Sequence, residues 1–193
     1  MTRRAVLVLL DPAAVSEPPP GVAPQRWRTA LAEDVADLAG TLAGVDAGVV
    51  ATAAETSWAA GLLWPDALVL TVAEVTPVHA FDAAGGYDEV AVLAADVPDL
   101  PALHVGKLFR ALGRHTVAVA PADGGGAVAI AARLPLPPWV RAAAPTLGQC
   151  AVAGRPDVAT TPGWHRLRVP ADVHRLDPGL EGWEATRALL SGP

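Results

Sequence analysis

Two short acidic runs in this sequence have the composition and placement to do chemistry. The first is Ala94-Ala-Asp-Val-Pro-Asp-Leu-Pro101, where Asp96 directly follows the apolar stretch Glu89-Val-Ala-Val-Leu-Ala-Ala95. A carboxylate at the carboxyl end of a buried strand sits where open α/β sheets bind ligands. There it can hold Mg²⁺ or Mn²⁺ and, through the ion, the oxygens of a diphosphate. The same residues also have a structural reading, with Asp96 or Asp99 capping the next helix and Pro98 and Pro101 shaping the turn. The second run is Ala122-Asp-Gly-Gly-Gly126. Its glycines allow positive φ and close backbone approach, so Asp123, Gly124 and Gly125 are candidates for binding a hydroxylated substrate, although a plain hairpin turn calls for the same residues.

Further candidates are weaker. Arg26 and Arg28 are the only cations near the loop that follows the first strand and so the ones available there for phosphate oxygens, against a reading as solvated residues in the first turn of a helix. Asp172 and His174 read as ordinary polar residues, and an imidazole there would suit a softer divalent ion better than Mg²⁺, which prefers oxygen ligands. His79, His104, His115 and His165 show no paired ligand spacing and read as surface or packing residues. The single cysteine, Cys150, reads as a small buried hydrophobe. The six tryptophans read as core filling, with stacking on a base or sugar and burial in a dimer interface as alternatives. No Gly-x-Ser-x-Gly elbow is present, and neither a Walker loop nor a Gly-x-Gly-x-x-Gly fingerprint follows the first strand. No residue is singled out as a nucleophile or a general acid.

The elements that must position these side chains alternate. Ala5 to Leu10 is apolar throughout, as a strand buried on both faces reads. Leu31, Val35, Leu38 and Leu42 lie on one helical face. Ala47 to Thr52 and Ala67 to Val72 are two further strands around a short helix over Glu55 to Trp64. The strand at Glu89 to Ala95 is followed by a helix carrying Leu103, Lys107, Leu108, Ala111 and Leu112, and then by a strand at Thr116 to Ala120. The link to Val128–Ala132 is too short for a parallel crossover, so this pair should be an antiparallel hairpin. A helix near Trp139 to Ala144, a loop over 154–163, a last strand near His165 to Val169 and a helix over Gly182 to Leu190 complete the reading. The fold class is α/β, with a mixed, mainly parallel sheet and helices on both faces, three layers in all.

At 193 residues the chain reads as a single domain, 1–193, and its 52% hydrophobic composition excludes wholesale disorder. A net charge of -6 with one lysine, Lys107, speaks against nucleic acid or an anionic membrane as partner. Charged residues interrupt every apolar run before the roughly 18 residues of a membrane span are reached. One cysteine is consistent with a reducing compartment, and the expected location is cytoplasmic.

The order of elements, together with Ala95-Asp-Val-Pro-Asp-Leu100 and Val119-Ala-Pro-Ala-Asp-Gly-Gly125, resembles the nucleotide-diphospho-sugar transferase superfamily of GT-A type. The likeness is nearest to small bacterial glycosyltransferase-like proteins and to the 2-phospho-L-lactate and molybdenum-cofactor guanylyltransferases. It is carried by residues 88 to 133, and elsewhere by element order alone. The resemblance implies that Asp96 ligates a divalent cation beside nucleotide phosphates. Three departures accompany it. The first loop, from Asp11 to Pro24, has one glycine and several prolines where relatives place glycines and a cation. Gly126 stands where relatives carry an aromatic residue, and His174 stands where they carry a second aspartate.

Two functional readings follow. One is a Mg²⁺- or Mn²⁺-dependent nucleotidyltransferase or nucleotide-sugar glycosyltransferase, with Asp96 and Asp172 or His174 at the metal and Asp123, Gly124 and Gly125 at the acceptor. The other is a domain of the same fold that has lost catalysis and acts by binding, as a homodimer or with a protein partner. The first requires Asp96, Asp123 and the 172–174 segment to approach one another at the strand ends.

Overall fold

The structure, a computed structural model, describes residues 2–14 and 16–192. Seven strands form one sheet: β1 (Arg4–Leu9), β2 (Asp46–Thr52), β3 (Leu68–Val72), β4 (Glu89–Ala94), β5 (Val117–Pro121), β6 (Ala127–Arg133) and β7 (Val158–Thr160). Their spatial order is β3-β2-β1-β4-β6-β5-β7. The strands β1 to β4 run parallel, β6 is antiparallel to both β4 and β5, and β7 is parallel to β5. The hairpin expected at Ala122 to Gly126 is present, and β6 inserts between β4 and β5.

The centre of the sheet follows from composition. Leu7, Val92 and Leu93 are fully buried and Leu9 is nearly so, because both faces of β1 and β4 are covered. One face carries α1 (Pro24–Thr41), whose residues Leu31 and Val35 are buried. Four further helices pack around the sheet: α2 (Thr56–Ala60), α3 (Pro77–Ala83), α4 (Ala102–Leu112) and α5 (Pro138–Ala143). The helix α3 has no counterpart in the sequence reading. It starts at Thr76, whose hydroxyl accepts the His79 N–H, with Pro77 at its first position. Seven residues are too few for the apolar period to stand out.

The carboxyl third corrects the sequence reading most. The last strand lies not at His165 to Val169 but at Val158–Thr160, within the segment taken as a loop. Residues 164–169 instead cross the carboxyl ends of β4 and β5 and bond to the chain there: Leu167 N–H to Asp96 C=O at 2.9 Å, Asp123 N–H to Trp164 C=O at 3.0 Å, and Glu17 N–H to Arg168 C=O at 3.0 Å. A 3₁₀ turn (Pro170–Arg175) and α6 (Glu184–Ser191) follow. This strap has its own small core, where Leu167, Leu176 and Trp183 close over Trp27 and Leu31 of α1. The helix α6 is capped from another element, since both oxygens of the buried Asp34 on α1 accept backbone N–H groups, from Ala185 and Thr186, each at 2.9 Å. Trp64 also departs from core filling: it is 65% exposed and donates its indole N–H to Asp37 at 2.8 Å.

Candidate functional site

A cavity of about 440 Å³ opens at the carboxyl ends of β1 and β4. Its floor is Leu9, Leu10, Ala94 and Ala95. Pro12, Ala13 and Ala14 of the first loop form one wall, Trp58 and Pro77 another, and Arg166 and Arg168 of the strap a third. The first loop is held by its own side chains. Asp11 accepts the Ala13 N–H at 2.8 Å, an Asx turn. Ser16 donates to the Leu167 carbonyl while accepting the Trp27 indole N–H, the latter at 2.8 Å. Loop and strap therefore close on each other around the cavity mouth.

Asp96 lies in this cavity, at the end of β4. Its Oδ1 accepts the Arg166 Nε–H at 2.7 Å, and the two side chains are only 9% and 7% exposed. Two buried opposite charges hold one another strongly, because removing either leaves the other unpaired in a poorly solvated place. Arg28 also lines the cavity. It bonds Glu55 at 2.5 Å and the Leu10 carbonyl at 3.1 Å and lies over the Trp58 ring at 4.2 Å. Arg168 reaches the Gly125 carbonyl at 3.4 Å and has no carboxylate partner among the described residues.

The other sequence candidates fall around this centre. Arg26 is exposed on α1 and does not line the cavity. Asp123 is mostly exposed and paired with Arg175. Gly124 and Gly125 have φ of +80° and +106°, with open space where a side chain would begin. Gly126, at φ +77°, has no such space, since a Cβ there would stand 2.5 Å from the Leu147 carbonyl oxygen. That contact leaves no room for the aromatic residue that the resemblance implies at this position. Asp172 accepts the N–H groups of Arg168 and Val169 at 2.8 and 3.0 Å, and His174 is exposed on the following turn. The Asp172 carboxyl is held below its ordinary range: slight burial raises it, and the two backbone donors and the Arg175 charge outweigh that.

Asp96, the Asp123 loop and the segment bearing Asp172 and His174 are thus brought to one end of the sheet, joined by the strap. Backbone bonds and guanidinium groups do the joining. Among the described residues, no three His, Cys, Asp or Glu side chains come close enough to hold a metal ion. Asp99, the other acid of the first run, is buried beneath the strap. It accepts the Trp164 indole N–H at 3.0 Å and lies 3.1 Å from His165 Nε2. Burial pushes its carboxyl upward, but His165, Trp164 and the Asp177 N–H bring it below its ordinary value. Asp99 thus fastens the strap through the Trp164 indole and the Asp177 N–H.

The residues missed in the sequence are Ser16, Arg166 and Arg168. A signal for the pair exists in His165-Arg-Leu-Arg168: in extended chain, alternate side chains share a side, so burial of Leu167 turns both arginines the other way, toward the cleft.

The sequence profile of a bacterial family, described as uncharacterized protein conserved in bacteria (DUF2064), matches residues 77–145. No curated protein matches the chain. Among solved structures, a candidate nucleotide-diphospho-sugar transferase from Desulfovibrio desulfuricans G20 aligns over 99% of this chain and 98% of its own, at 18% identity and a TM-score of 0.67. CMP:2-keto-3-deoxy-manno-octonic acid synthetase in complex with CTP aligns over 98% and 99%, at 12% identity and a TM-score of 0.58. The Mycobacterium tuberculosis H37Rv protein Rv0371C, in complex with manganese, aligns over 99% of both chains, at 15% identity and a TM-score of 0.54. The fold is that of the nucleotide-diphospho-sugar transferases.

Proposed function

We propose that the protein binds a nucleotide or nucleotide sugar in the cavity at the ends of β1 and β4, as a nucleotidyl- or glycosyltransferase-like protein. The observation that carries this reading is the cavity itself, with Asp96, Arg28, Arg166 and Arg168 converging on a mainly apolar pocket. Few polar groups in an apolar cleft at a strand-end crevice is the usual form of a small-ligand site. Guanidinium groups suit phosphate oxygens because their planar N–H forks bind them in pairs. Arg28 and Arg168 would take the phosphates, Trp58 offers a flat surface for a ring, and Asp123 with Gly124 and Gly125 borders the side from which an acceptor would approach. Arg26, pointing to solvent, has no part in this reading.

A metal ion bound by Asp96, Asp172 and His174 does not fit the residues present. Asp96 is paired with Arg166, Asp172 is occupied by backbone donors, and His174 faces solvent. The first loop supplies prolines where phosphate-binding loops supply N–H donors, which favours a second reading, a binding domain without turnover.

Calorimetric titration with nucleoside triphosphates and nucleotide sugars tests the proposal. Binding is expected, and Asp96→Ala should weaken it by about tenfold or more, since the unpaired Arg166 loses its position. Absence of binding across the ligand series would overturn the reading. Binding without product formation, followed by phosphorus NMR with candidate acceptors, would select the domain without turnover.

A further inference from the structure

We infer that Arg166 takes the place of a divalent cation at Asp96, so that the cleft recognises a diphosphate without metal. The inference rests on the reading of the cavity as a nucleotide site and concerns how that site neutralises charge. Its basis is the state of the carboxylates at this end of the sheet. Asp96 Oδ1 is engaged by a buried guanidinium at 2.7 Å. Asp99 is turned beneath the strap toward Trp164 and His165. Asp172 serves two backbone N–H groups, Asp123 is paired with Arg175, and Asp11 holds the Ala13 N–H. Among the described residues, no three His, Cys, Asp or Glu side chains at this end come close enough to surround an ion.

A Mg²⁺ or Mn²⁺ at Asp96 would need an oxygen within about 2.0 to 2.2 Å and would meet the buried positive charge of Arg166 at contact range. The guanidinium, by contrast, needs no further ligand. Only its Nε–H is committed to Asp96, so its terminal N–H groups remain for oxygens in the cavity that Arg166 lines. The Leu167 N–H bond to the Asp96 carbonyl holds the neighbouring backbone, which fixes the charge in position before any ligand arrives. Arg168, two residues on and facing the same cavity, supplies a second cation. Asp96 on this view orients Arg166 and is a positioning residue.

The test is calorimetry with a nucleoside diphosphate on the full chain, in EDTA and in excess Mg²⁺ or Mn²⁺, with paramagnetic resonance of Mn²⁺ on the protein alone. The expected results are binding in EDTA, no tightening by metal, and a free-ion Mn²⁺ signal. Arg166→Lys, which keeps the charge and loses the fork, should weaken the diphosphate about tenfold or less, and Arg166→Gln more. Arg168→Gln, on a partly exposed side chain, should weaken binding without disturbing the fold and covers the case in which Arg166→Gln does not fold. Diphosphate binding seen only with metal, or tight Mn²⁺ binding by the protein alone, would overturn the inference and leave the nucleotide reading standing. No binding in either buffer would remove that reading and the inference with it.

Discussion

Asp34 joins α1 to α6 through two backbone hydrogen bonds, and replacing it tests how that join depends on charge. The carboxyl is 2% exposed, and its pKa is raised from 3.8 to about 6. Burial is the main cause; the contacts from Thr186 and the Ala185 N–H lower it, and the neighbouring Glu184 raises it further. Because the folded pKa lies above the unfolded one, the native state holds the proton more tightly. Stability from this group is fully present below about pH 4 and declines as pH rises toward about 6, beyond which it is constant. A rise from 3.8 to about 6 corresponds to about 3 kcal/mol at 1.36 kcal/mol per unit. Asp34→Asn keeps an acceptor oxygen for one of the two α6 N–H groups, turns its NH2 toward the other at a cost that does not vary with pH, and removes the ionisation. Urea unfolding followed by tryptophan fluorescence suits the measurement, since Trp27 and Trp183 lie in the same small core. The stability difference between wild type and Asp34→Asn should shift by about 3 kcal/mol in favour of the variant between pH 3 and pH 7. Parallel pH profiles for the two proteins would refute the argument.

Leu93→Ala removes a fully buried side chain from the central strand and should cost about 2 to 5 kcal/mol in urea unfolding. Gly126→Ala and Gly124→Ala both place a Cβ at positive φ, but only the former meets backbone, 2.5 Å from the Leu147 carbonyl oxygen, so thermal melts should rank Gly126→Ala well below Gly124→Ala. Asp99→Asn weakens the acceptor of the Trp164 indole and the Asp177 N–H beneath the strap; hydrogen exchange should rise at Asp123 and Leu167, whose amides bond across it, with the amides of β1 unchanged.

The sheet was legible because β1 and β4 are apolar at nearly every position, and a run of that kind has one place in an α/β protein, the centre. The hairpin was legible because five residues cannot carry a chain back along a parallel path. The strap was not. His165 to Val169 has a strand's length and apolar content, and only tertiary contacts with Asp96, Asp123 and Glu17 decide that its backbone groups bond across strand ends instead of along an edge. The candidate site was legible in the same uneven way. Asp96 could be read from its position after an apolar strand, whereas its partner Arg166 lies 70 residues further on, and nothing in either local sequence states the pairing.

The strap places the last part of the chain against the first loop, which has a consequence for synthesis. A growing polypeptide that has reached residue 160 already contains all seven strands, and domains begin to consolidate from the amino terminus while translation continues. Such a chain has the residues of the cavity floor but lacks Arg166, Arg168 and the Leu167 carbonyl that receives Ser16. A chain of that length therefore carries an open trough and an unpaired Asp96, and the cleft gains its third wall only when residues 164–169 emerge and lie down across it. Walling of the cleft therefore comes after synthesis of the sheet, so a chain truncated at residue 160 would keep the seven strands but lack Arg166 and Arg168.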